Sequence, residues 1–214
     1  MSDFYYPFEF VGIDNSNVDD YQTGALVYRF CSAKSNHYYV VRVEKYLDNL
    51  HCVKFFDDTT SDVVSRFSRL TATYEPRTIF RTVVEIAFDV FRNNRQASFM
   101  YVGAADKKDL QNQPTRRYRV YRQYMSDFDL HEWFEPADSE NYSLSVLTNI
   151  AAMPTVERRM AFLKKSRISL ALFHNDLIIA VVCYSICLSI ETIKIFRLQL
   201  ARFLLKYLLY KEMS

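Results

Sequence analysis

Residues 75–124 constrain the fold more than any other stretch, because a helix start, an apolar stripe, a turn and a buried strand follow one another there. Glu75-Pro76 places a capping position before a proline in the first turn, where its missing N–H costs nothing. Ile79, Phe80, Val83, Val84, Ile86, Ala87, Val90 and Phe91 then recur at helical spacing, a stripe wide enough to lie across a sheet. Cations at Arg92 and Arg95 suit the negative end of the helix dipole, and Asn93-Asn94 supplies a turn. The run 97–102 is almost wholly apolar, as in a strand covered on both faces, and Gly103 closes it. A second helix, rich in arginine and tyrosine, is predicted over 115–124. A helix, a strand and a helix in that order predict the nucleus of an α+β core.

The rest of the composition removes several chemistries. The chain has 214 residues, half of them hydrophobic and sixteen per cent aromatic, enough for one ordinary core. It has only three glycines, Gly12, Gly24 and Gly103, all isolated. A loop that cradles phosphate needs glycine for close backbone approach, so neither a P-loop nor a dinucleotide fingerprint can be written. A net charge of +2 argues against a dedicated nucleic-acid binder. Cys31, Cys52, Cys183 and Cys187 lack paired spacing and read as reduced thiols. The first residues have no basic region followed by an apolar one, so no signal peptide is expected and the main domain is expected in the cytoplasm.

Before the nucleus, Phe8 to Val11 reads as an edge strand and residues 14–20 as a loop. Three alternating runs, 25–31, 38–46 and 50–56, predict an antiparallel meander. Residues 57–74 fit either a short helix or an ordered loop. After the nucleus, 130–134 and 142–147 predict a closing pair of strands around a turn at 136–141. The expected organisation is an α+β domain over 1–150, with a mixed, mainly antiparallel sheet and two main helices. A basic linker helix over 151–167 and a hydrophobic helical tail over 168–214 follow.

Strand, strand, strand, helix, strand, helix, strand, strand resembles the core of the acyl-CoA N-acyltransferase superfamily. The match covers residues 25–148 and includes Phe99-Met100-Tyr101-Val102 followed by Arg119-Val120-Tyr121-Arg122-Gln123-Tyr124. The chain is also similar to small bacterial domains of unknown function that share an aromatic strand, an Arg-Tyr helix and a closing hairpin. The superfamily resemblance implies coenzyme A bound through a glycine-containing turn at the start of the first core helix. Here that position reads Tyr74-Glu75-Pro76-Arg77, with one donor removed and no glycine. Arg77 can still meet a phosphate, but the cradle is missing, and no cofactor is expected.

The surface element most suited to recognition is the second helix, with Arg116, Arg119 and Arg122 at spacing three and Tyr118 and Tyr121 beside them. One reading makes it a contact for phosphate, nucleic acid or an acidic partner, with its aromatics available for stacking; the other is a solvated face neutralised by Asp106, Asp109 and Asp127, with its tyrosines packed on the sheet. The four histidines share no metal-ligand spacing, so no metal is expected. Around His131, strand alternation would set His131 and Trp133 on one face and Glu132 on the other. No serine or cysteine stands in a nucleophile setting, and Glu85 and Asp89 read as solvent-facing. No catalytic residue is expected. In the tail, the apolar run from Ile168 to Ile190 behind Lys164, Lys165 and Arg167 fits a membrane span with the domain on the cytoplasmic side. Asp176 within it and four cations beyond it fit packed helices instead. The expected function is a non-catalytic interaction module with a protein partner or self-association, held at the inner face of a membrane by its tail. An acyl-CoA-dependent enzyme and a small membrane-acting, toxin-like effector are the alternatives.

Overall fold

A computed structural model describes residues 4–16, 18, 22–59, 75–105, 109–110 and 113–164. The chain divides into two compact units, residues 1–165 and 166–214, and the described residues all lie in the first. The tail, the stretch 60–74 and Asp106 therefore lie outside the described residues.

The three alternating runs form the meander: β2 (Gln22–Cys31), β3 (Tyr38–Tyr46) and β4 (Leu50–Asp57), antiparallel in sequence order. In front of them β1 (Phe8–Asp14) pairs antiparallel with β2 as the edge. The single helical turn Leu47–Asn49 joins β3 to β4, with Asp48 and Asn49 at positive φ, where short polar side chains are tolerated. Helix α1 (Pro76–Asn93) has proline at its start, as predicted, and every residue of the expected stripe except Ala87 is buried. It leads into β5 (Ser98–Val102), which lies parallel to β4. Helix α2 (Arg116–Met125) follows, then β6 (Phe134–Ser139), the short turn Glu140–Tyr142 and β7 (Leu144–Asn149).

The result is an α+β domain on one seven-stranded mixed sheet, ordered β1-β2-β3-β4-β5-β7-β6. The core joins Tyr28 and Phe30 of β2, Val41 and Val43 of β3, and Phe99 of β5 to Ile79, Val83 and Ile86 of α1. The alternate residues Cys52, Met100 and Val146 are buried too, so the central strands are covered on both faces. Burial pushes the Cys52 thiol up to about 12. Asn149 locks the end of β7: its amide donates to the Arg95 and Ala97 carbonyls (2.8 and 3.1 Å), and its oxygen accepts from the Ala152 N–H at 3.0 Å.

The closing pair is displaced from its predicted place. Residues 131–133 form a turn, and β6 occupies 134–139, including Pro136 where a turn was expected. Proline has no N–H to give a ladder, but β6 is an edge strand and pairs only with β7, so the defect costs nothing there. His131 and Trp133 consequently do not alternate on a strand. His131 is exposed, and Trp133 packs edge-on against Phe88 at 6.0 Å. A third helical stretch covers 156–164, with Phe162 buried and Arg159 ion-paired to Glu135.

Candidate functional site

The site begins with a consequence of strand direction. β4 and β5 are parallel and pair over three residues only, Leu50 with Ser98, His51 with Phe99 and Cys52 with Met100. Beyond them β4 runs on to Asp57 and β5 to Val102 without pairing to each other, so the sheet parts at the C-terminal ends of both strands. In α/β crossovers those ends face the crevice where ligands collect. Here α1 follows β4 and α2 follows β5, and both helices close over the parting.

Aromatic side chains fix α2 in place. Tyr121 stacks on Phe80 of α1 at 5.4 Å and lies 6.0 Å from Phe55 of β4 and 6.1 Å from Tyr101 of β5. Tyr124 lies 5.4 Å from Phe80. Tyr118 is wholly buried, 6.4 Å from Tyr101, and burial together with the Asp138 carboxylate pushes its hydroxyl up to about 12. The start of the helix is pinned as firmly. Thr115 caps it by accepting from the Tyr118 N–H at 3.2 Å while its hydroxyl donates to the Gly103 carbonyl at 2.8 Å.

Between these elements lies an apolar cavity of about 70 Å³, lined by residues that include Val53, Phe80, Ala87, Met100, Tyr121 and Met125. Next to it, at the start of α1, is a polar recess lined by Tyr6, Lys34, Glu75, Arg77, Thr78 and Tyr124. The buried Glu75 carboxylate does not cap the helix. It accepts hydrogen bonds from the hydroxyls of Tyr6 and Ser32, both of which reach it from far off in sequence. The Tyr6 N–H donates to Thr82 Oγ at 3.0 Å, which straps the N-terminal segment across α1. Burial first, and Glu75 second, push the Tyr6 hydroxyl up from its ordinary value. Close by, His37 Nδ1 lies 2.8 Å from Asp57 Oδ2.

The sequence-predicted residues separate into two groups. Tyr118 and Tyr121 face the sheet and are not available for stacking from the outer surface. Arg116, Arg119 and Arg122 are exposed, with exposed Val120 among them. Arg122 is held by Asp138 at 3.2 Å and Glu140 at 2.8 Å. Arg116 and Arg119 have no ion pair among the described residues, although Asp109 accepts from the Arg116 backbone N–H at 2.9 Å. Arg77 stands apart in the polar recess, exposed and likewise without an ion pair among the described residues. Glu85 and Asp89 are half-buried rather than solvent-facing: Glu85 pairs with Arg81 at 3.2 Å, and Asp89 accepts from the Tyr28 hydroxyl at 3.1 Å. Among the described residues no group of histidine, cysteine, aspartate and glutamate could hold a metal ion. No protein-family model, curated protein or solved structure matches this chain.

Proposed function

We propose that this chain is a non-catalytic interaction module whose contact surface is the outer face of α2, and that its partner is an acidic protein surface. The observation that carries this is the pairing state of the arginines: Arg116 and Arg119 are exposed and unpaired among the described residues, on a helix whose inner tyrosines hold it still. A rigid platform lowers the ordering cost of recognition, and arginine forks favour carboxylates. Exposed Val120 follows Arg119 directly and stands four residues, about one turn, after Arg116. A photoreactive cross-linker at Val120 of the full chain, expressed in its source cells, tests this. It should capture one acidic protein, and the charge reversal R116E/R119E should abolish capture. Capture that survives the reversal refutes the assignment.

A second reading, acyl transfer from a coenzyme A thioester, draws support from the parting of β4 and β5 within an element order that resembles the acyl-CoA N-acyltransferases. Against it stands the start of α1. A protein carboxylate, Glu75, is buried where the coenzyme's pyrophosphate would approach, and Pro76 offers no N–H. Calorimetric titration with acetyl-CoA separates the two: micromolar binding favours transfer, and the absence of heat at millimolar ligand removes it.

Membrane tethering belongs to the same proposal and rests on Ile168 to Ile190. No helix among the described residues is long and apolar enough to cross a membrane. Co-sedimentation with lipid vesicles of the full chain, beside one ending at Lys165, is the test. If neither sediments, the tether is wrong.

A further inference from the structure

The apolar cavity and the polar recess share one aromatic wall. Phe80 and Tyr121 line the cavity, Tyr124 lines the recess, and Phe80 lies 5.4 Å from each tyrosine ring. Interiors of this kind pack with few voids larger than a water molecule, so a cavity of about 70 Å³ lined almost wholly by apolar side chains is unusual space. It is roughly half the volume of an engineered apolar cavity that takes up benzene, enough for about three or four carbons of an alkyl chain. On the other side of the wall, Arg77 offers a guanidinium without an ion pair among the described residues. Lys34 adds a second cation there. Glu75, the one anion among the described residues of the recess, already accepts from two hydroxyls. Arg77 and Phe80 are three residues apart on α1, which places head-group cation and cavity wall on one helical face.

We propose that these two spaces form one binding site for a free aliphatic carboxylate. The end of the alkyl chain fills the cavity under Phe80 and Tyr121, and the carboxylate is gripped at Arg77. The chemistry differs at the two ends, so recognition needs both. An alkyl group without charge gains only burial, and an anion without a chain gains only an exposed ion pair. The site lies on the inner side of α2, apart from the arginines of its outer face, and it requires neither a coenzyme nor a thioester.

The test uses the full chain, labelled with ¹⁵N, and sodium octanoate. Titration should give saturable amide shifts centred on residues 80–87 and 121–125. Octanol, with the same chain and no charge, should bind at least tenfold more weakly. Arg77→Gln should weaken octanoate at least tenfold and leave octanol unchanged. Ala87→Phe, which fills the cavity, should abolish binding of both. Ala87→Met is the milder filler should the phenylalanine variant not fold, and it should weaken both. Three results overturn the proposal: no saturable shifts at 10 mM octanoate, shifts confined to other residues, or equal affinity in the wild type and a folded cavity-filled variant. Loss of partner capture in R116E/R119E with octanoate binding intact would separate this site from the contact surface.

Discussion

Gly103→Ala should unsettle the platform on which the arginines stand. Gly103 closes β5, and a methyl group built on it would meet the Tyr118 backbone nitrogen at 2.4 Å, Thr115 Oγ at 2.5 Å and Tyr118 Cβ at 2.6 Å. Two of these atoms are fixed parts of α2 and cannot swing aside. Restoring ordinary contact at about 3.4 Å requires the start of α2 to retreat by about 1 Å. That movement loosens the Thr115–Gly103 hydrogen bond (2.8 Å) and the bond from the Thr115 N–H to Ser143 Oγ (2.8 Å). Overpacking of this kind costs about 1–3 kcal/mol, and each weakened hydrogen bond about 1 kcal/mol more. A total of about 3–5 kcal/mol is expected, which for a chain of this length lowers Tm by roughly 6–20 °C.

Urea unfolding of Gly103→Ala and wild type, followed by circular dichroism, measures the loss, with the half-exposed neighbour Val102→Ala as a control. The control should change stability by less than about 1 kcal/mol. If Gly103→Ala also costs less than about 0.5 kcal/mol, α2 does not rest on Gly103 and its outer face is not rigidly presented.

Two further outcomes can be measured on the same protein. Asp14 is held below the usual carboxylate range by Ser16, through side-chain and backbone hydrogen bonds, and then by Arg42. Burial alone would raise Asp57, yet the Thr59 N–H (2.9 Å), the Thr59 hydroxyl (2.8 Å) and His37 (2.8 Å) hold it low. A carboxylate lowered by folding adds stability above its unfolded pKa of about 3.9, and that stability is lost as pH falls through the folded value. Urea midpoints should therefore drop between pH 6 and pH 3, and Asp14→Asn and Asp57→Asn should each flatten the drop; an unchanged slope in both contradicts the assignment. Separately, Cys52 is buried and its thiol pushed up, whereas Cys31 is partly exposed. Iodoacetamide at pH 8, with peptides mapped by mass spectrometry, should alkylate Cys31 at least tenfold faster than Cys52; equal rates would mean that β4 opens readily.

Much of this fold was legible because local and global preferences agree. The meander strands alternate, and the stripe of α1 matches a sheet-covering helix, so both were readable from spacing. Where the two disagree, the reading slipped. Pro136 looks like a turn residue in isolation and becomes tolerable only because β6 lies at the sheet's edge, which is a tertiary fact. The arginines of α2 were visible as a pattern, but their states were not. Arg122 is neutralised by Asp138 and Glu140, not by the acids nearest α2 in sequence, while Arg116 and Arg119 remain without ion pairs among the described residues. Glu75 was readable as a helix start. Its partners Tyr6 and Ser32 were not, because no spacing rule connects hydroxyls so far away in the chain.

The cavity has the same kind of origin, and it explains why one helix serves both proposed sites. Parallel strands cannot be joined by a tight turn, so β4 and β5 are linked through α1 and pair only near their starts. β7 enters on the far side of β5 and pairs with it along Phe99 to Val102, so it still holds Tyr101 and Val102 where β4 has left the strand. Something must cover the space that opens, and α2 supplies Tyr121 and Met125 for it. The same helix, held by that duty, turns Arg116 and Arg119 outward. A ligand in the cavity would press on the inner face of the platform whose outer face is the proposed contact surface. Octanoate at saturation should therefore change partner capture through Val120 in the wild type and leave it unchanged in Ala87→Phe. Capture that ignores octanoate in both would mean that the two faces of α2 work independently.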